Sequence, residues 1–150
     1  MKMANTKIEN RKTKIGQDSE SAPSAIRDFT DLVAWKLSRE LRRTVYETTR
    51  GFPADEKHVL TSQMRRAAIS VTANIAEGYG RFSYQENMQF CRHARGSAYE
   101  LRDHLMTALD AEYLGPDEWR KTEELAKRVI QVLNGYIRST RARQGQSKEG

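Results

Sequence analysis

The residues most suited to chemistry are three histidines (His58, His93 and His104), a single cysteine (Cys91) and many arginines. Their spacing excludes the familiar catalytic arrangements. There is no HExxH, no CxxC and no glycine-rich phosphate loop. Glu100 and His104 lie four residues apart, close enough on a helix to share a metal. A di-metal helical bundle, however, needs two ExxH motifs and two further inward glutamates. This chain has no ExxH, so a salt link between Glu100 and His104 is expected. At about 100° per residue, Cys91 and His93 point about 160° apart and cannot form a nucleophile–base dyad. No catalytic residue, metal ligand or cofactor is therefore expected.

The arginines point instead to binding. Arg65, Arg66, Arg81, Arg92, Arg95 and Arg102 are the candidates for phosphate contact. Arg92, Arg95, Tyr99 and Arg102 fall on one side of a helical pattern, where a plain charged solvent face competes with a ligand site. Gln63, Ser70, Asn74 and Glu77 line up with Arg66 along one flank of another helix. That flank reads either as a hydrogen-bond network within the fold or as a site. A third group, Leu32, Trp35, Arg39, Arg42 and Tyr46, lies opposite an ordinary core stripe. Aromatics mixed with arginine suit base stacking or a protein interface, and an oligomer interface is the favoured reading because an uncovered apolar face is a solubility liability.

Four helical patterns must carry these residues. The first spans residues 30–49 and stops at Arg50-Gly51-Phe52-Pro53. The second spans 54–76 and ends in Glu77-Gly78-Tyr79-Gly80. The third opens at Ser83, with Glu86 completing a capping box, and runs to 112. Gly115-Pro116 then introduces a fourth, from 117 to about 141. The core stripes are Ala34, Leu37, Leu41 and Val45; Leu60, Met64, Ala67, Ala68, Val71 and Ile75; Phe90, Cys91, Ala94, Ala98, Leu101, Leu105 and Leu109; and a broad arc from Leu125 to Ile137. Gly96, inside the third pattern, implies a neighbouring backbone passing close. Short connections between neighbours predict an all-α, antiparallel up-down-up-down four-helix bundle over residues 28–141. Residues 1–27 and 142–150 are polar and aperiodic and read as disordered basic tails.

A net charge of +6 looks like a nucleic-acid signature, but residues 1–27 and 138–150 each contribute +3, and the 28–137 segment sums to zero. Within that segment 28–102 is basic and 103–137 acidic, a polarity able to steer a polyanion to one side. One cysteine excludes an intrachain disulfide, and no signal-like or membrane-spanning run is present, so a cytoplasmic protein is expected.

Gln63-x-x-Arg66-Ala67-x-x-Ser70, followed by Asn74-Ile75-Ala76-Glu77-Gly78-x-Gly80-Arg81 and later by Gly96-Ser97-x-x-Glu100-Leu101, resembles the S23-type proteins encoded in intervening sequences of bacterial 23S ribosomal RNA. The likeness covers about 28–137. It implies a left-handed bundle assembled as a homo-oligomeric ring, typically a pentamer, with no enzymatic activity. It further implies kinship with the accessory variability determinant of diversity-generating retroelements, which binds nucleic acid and a reverse transcriptase. The family pattern falls on Gln63, Arg66, Ser70, Asn74, Glu77, Gly78, Gly80 and Arg81, with the two glycines expected to allow a sharp turn that leaves Arg81 beside Glu77 or Arg66. The expectation is a ring-forming nucleic-acid-binding accessory protein that prefers RNA to DNA. The alternative is a protein scaffold, including one that docks to a reverse transcriptase.

Overall fold

The computed structural model describes residues 25–148. Four long helices form, α1 (Val33–Thr49), α2 (Leu60–Tyr79), α3 (Tyr84–Asp110) and α4 (Pro116–Gln146), with short 3-10 helices at Phe29–Asp31 and Ala54–Glu56. Each long helix packs on its sequence neighbours and α4 closes on α1, while diagonal pairs make no close backbone approach. This is the square arrangement of an antiparallel four-helix bundle. The most extensive seam is α2 on α3, followed by α3 on α4.

Local chemistry sets the helix ends. Ser83 caps α3, its Oγ accepting from the Glu86 N–H at 3.1 Å. Only half of the expected capping box forms, because Ser83 Oγ donates to the Glu86 carboxylate at 3.1 Å and that carboxylate does not return to the Ser83 backbone. Pro116 opens α4, where its missing N–H costs nothing. At the end of α3, Tyr113 N–H bonds Ala108 C=O at 2.9 Å and Glu112 N–H bonds Leu109 C=O at 3.0 Å. These are the two bonds of a Schellman motif, with Glu112 at φ 59° where glycine is usual.

The core is a continuous column that includes Leu41, Val45, Met64, Val71, Ile75, Cys91, Leu101, Leu105 and Leu133, all inaccessible to solvent. Ala94, Ala98 and Ala126 are equally buried and let the helices approach closely. Phe90 and Leu109, expected in the core, are half-buried at its edge; Met88 and Ala108 are buried instead.

Several boundaries move. Residues 54–59, expected to be helical, form a 3-10 turn and a loop, because Pro53 and the following acidic pair start a tight turn before Leu60 can join the core. α4 continues to Gln146, past the 141 expected, because polar residues can extend an existing helix after its apolar stripe ends at Ile137. The expectation for residues 1–24 lies outside the described residues. Among the described residues, no helix is long and apolar enough to cross a membrane.

Candidate nucleic-acid interface

Three of the six candidate arginines hold the bundle together. Arg65 Nε donates to Thr49 Oγ1 at 2.9 Å, and its guanidinium lies 4.7 Å from the Tyr46 ring centre, joining α2 to α1. Arg95 Nη1 donates to Asn134 Oδ1 at 2.8 Å. Arg102 Nε donates to Glu123 Oε1 at 2.8 Å while stacking near Tyr99. Arg95 and Arg102 are seven residues apart, so both reach across to α4; they do not stand on the solvent face of α3 as expected. Glu123 is buried, and Lys127 approaches the same carboxylate oxygen at 3.9 Å. Arg81 is exposed but paired with Glu77 at 2.7 Å, and it lies over the Phe90 ring. Arg66 and Arg92 make no side-chain hydrogen bond or ion pair among the described residues. They are the two members of the set free to meet a ligand.

The polar flank of α2 lies in its seam with α3. Ser70 Oγ and Ser97 Oγ are 2.8 Å apart, and Asn74 Nδ2 donates to both Ser70 C=O and Ser70 Oγ. Gln63 and Arg66 stay outside, lining with Ser70 and Glu100 an open groove of about 340 Å³. Glu100 meets His104 at 3.3 Å, the expected link. No group of three histidine, cysteine or acidic side chains able to hold a metal occurs among the described residues. Burial pushes the Cys91 thiol up to about 11, so it is neutral and unreactive at ordinary pH.

Two expectations about glycine are reversed here. Gly96 has open space around it and needs no close neighbour. Gly78 does: a Cβ there would sit 2.8 Å from Phe90 Cβ and 3.1 Å from Asn87 C=O. Gly78 is helical and buried, so its role is close packing of α2 on α3, and the chain turns only after it.

The second face of α1 is largely consumed inside the chain. Leu32 is buried in the core because α1 begins at Val33; Leu32 is extended, outside the helical register that placed it on the outer face. Trp35 packs edge-on against Phe29 at 5.3 Å, and Arg42 Nη1 donates to Thr72 Oγ1 at 2.8 Å. What α1 leaves in solvent is mostly charged, with basic groups in excess. Lys36, Arg39, Arg43 and Arg50 are exposed, with Glu40 and Glu47 among them. Two adjoining open grooves follow this face, one of about 410 Å³ along Lys36, Arg39 and Arg43, the other of about 390 Å³ between Arg42, Arg43, Tyr46 and Arg50. The signal was present in the sequence as basic residues spaced three, four and seven apart. It was hidden because Arg39 and Arg42 were grouped with their aromatic neighbours.

The profile of the 23S rRNA-intervening sequence protein family matches residues 30–135. The chain belongs to this family. The fold also matches a crystal structure of a protein of unknown function from the S23 ribosomal protein family of Bacteroides thetaiotaomicron VPI-5482. That likeness has a TM-score of 0.65 at 20% sequence identity, covering 70% of this chain and 98% of the other. At that identity it establishes a shared bundle and nothing of activity. No curated protein matches the sequence. The family profile includes α1, α2 and α3 in full and stops within α4. The basic face of α1 and the α2–α3 seam therefore lie within the family domain, whereas Arg138, Arg141 and Arg143 lie beyond its limit.

Proposed function

We propose that this intervening-sequence family protein is a non-enzymatic accessory protein that binds nucleic acid through the outer face of α1, with RNA preferred over DNA. The observation that carries the reading is the row Lys36, Arg39 and Arg43 on α1 and Arg50 at its C-cap, exposed on one face, bordered by open grooves and in excess over Glu40 and Glu47. A helix rises about 1.5 Å per residue, so the row extends about 21 Å and can follow several phosphates of one backbone. Arginine suits this role because its planar fork bonds phosphate oxygens in pairs. RNA is placed first on the family's description. Homo-oligomerisation belongs to the reading because copies of this row would act as one field, and a single core is nearly neutral.

The test is binding of a structured RNA and a duplex DNA across a salt series, comparing the native chain with Arg39→Glu/Arg43→Glu/Arg50→Glu. Four phosphate contacts give a log–log salt slope of about −3 to −4. Charge reversal should flatten that slope and weaken both ligands, with the helical circular dichroism unchanged because the three side chains are exposed. Unchanged affinity would remove α1 from the interface, and no binding by the native chain would end the nucleic-acid reading.

A further inference from the structure

In an up-down-up-down bundle the start of α1, the α2–α3 connection and the end of α4 share one end. In this chain that end carries aromatic rings beside cations. Phe82 is fully exposed at the tip of the α2–α3 connection, and Tyr84, the first residue of α3, is also exposed. Among the described residues Phe82 has no apolar cover, unlike Phe90, which lies beneath the Arg81 guanidinium, and Phe29, which packs on Trp35.

α4 supplies the charge. Asn87 Nδ2 donates to Tyr136 Oη at 3.0 Å, which fixes the level of α4 against α3. The helices are antiparallel, so the start of α3, three residues before Asn87, stands level with about residue 139 of α4. Thr140 is the last buried residue of α4. Arg141 and Arg143 therefore project at and beyond the level of the loop, both exposed. Burial holds the Tyr136 hydroxyl above the ordinary phenol range, and the Asn87 hydrogen bond and the Arg143 charge only partly oppose it. Glu77 and Glu86, the acidic groups beside the loop, are both turned to Arg81, so the arginines of α4 stay unneutralised by them.

We propose that this end is a second nucleic-acid contact, specific for single strands, in which Phe82 and Tyr84 stack unpaired bases and Arg141 and Arg143 hold the adjoining phosphates. Every base has a face that stacks on an aromatic ring, and stacking requires it to be unpaired, so the tip selects strandedness without reading sequence. A protein ligand is disfavoured by the charge, because an apolar pocket for Phe82 would have to approach two arginines that pair with no acidic group among the described residues. The site rests on the nucleic-acid reading above but uses none of its residues: α1 supplies attraction common to all nucleic acids, and the loop end discriminates among them.

The experiment measures fluorescence anisotropy of the full chain with a single-stranded RNA of about 12 nucleotides, within the roughly 4–16-nucleotide footprints of single-strand binders. A duplex RNA of the same length is measured alongside. Phe82→Ala should weaken single-strand binding about 5- to 100-fold and leave the duplex unchanged. Phe82→Trp should retain affinity, and its added indole fluorescence should be quenched by the single strand and not by the duplex. Equal affinity of the native chain and Phe82→Ala for the single strand, or no quenching at Trp in place of Phe82, would overturn the stacking site while leaving the α1 reading intact. Failure of the native chain to bind either RNA would overturn both.

Discussion

Gly78 lies in the last turn of α2 and Gly96 in the interior of α3, and the same substitution to alanine should move stability in opposite directions. A mid-helix glycine is about 0.8–1 kcal/mol less favourable than alanine, so Gly96→Ala, with nothing within 4 Å of the new methyl, should stabilise by about 0.5–1 kcal/mol. Gly78→Ala gains less propensity, because it lies in the last turn of α2, and it forces a methyl to 2.8 Å from Phe90 Cβ, about 0.6 Å inside ordinary contact. Neither Phe90 Cβ nor the Asn87 carbonyl is the free end of a flexible chain, so relief requires α2 and α3 to separate. Overpacking of this kind costs about 1–3 kcal/mol, and here it also stretches the 2.8 Å Ser70–Ser97 hydrogen bond along the same seam. The net expectation is a loss of about 1–2 kcal/mol. Urea unfolding followed by circular dichroism should place the two midpoints about 1 M apart, with equal slopes near 2 kcal/mol/M. If Gly78→Ala stabilised the protein as much as Gly96→Ala, the close-packing account of the α2–α3 seam would be wrong.

Other outcomes follow from single contacts. Glu112 sits at φ 59° in the turn after α3, so Glu112→Gly should raise stability by about 0.5–1 kcal/mol in thermal unfolding. Arg102→Met should cost about 2–3 kcal/mol by leaving Glu123 buried without its nearest cation, and adding Glu123→Gln should recover most of the loss in a double-mutant cycle. Because the folded state holds the Cys91 thiol neutral up to about 11, its contribution to stability should be present below the ordinary thiol value of 9 and fall away as pH rises from 9 toward 11. A thiol reagent at pH 8 should accordingly label Cys91 only under denaturing conditions; rapid labelling of native protein would contradict its burial.

Periodicity alone was enough to specify four helices and most of the core, since apolar residues at three- and four-residue spacing have one way to hide from water. Stop signals such as Gly51-Phe52-Pro53 and Gly115-Pro116 located the connections, and the polar run from Gln63 to Glu77 was visible as a line along one flank. What a wheel of one helix cannot show is which neighbour a flank meets. Arg92 and Arg95 look alike in sequence, yet one is free and the other is bonded to Asn134, because only the placement of α4 distinguishes them. Leu32 escaped its apparent face because α1 begins at Val33, three residues later than the pattern. Gly78 and Gly96 exchanged roles for the same reason: the need for a missing side chain is a property of the helix packed opposite. The sequence by itself determined the elements, their order and the absence of the usual catalytic motifs. The tertiary structure decided which arginines are occupied within the bundle and which, on α1 and at the end of α4, stand in solvent, because side chains up to 57 residues apart find one another only once the helices are packed.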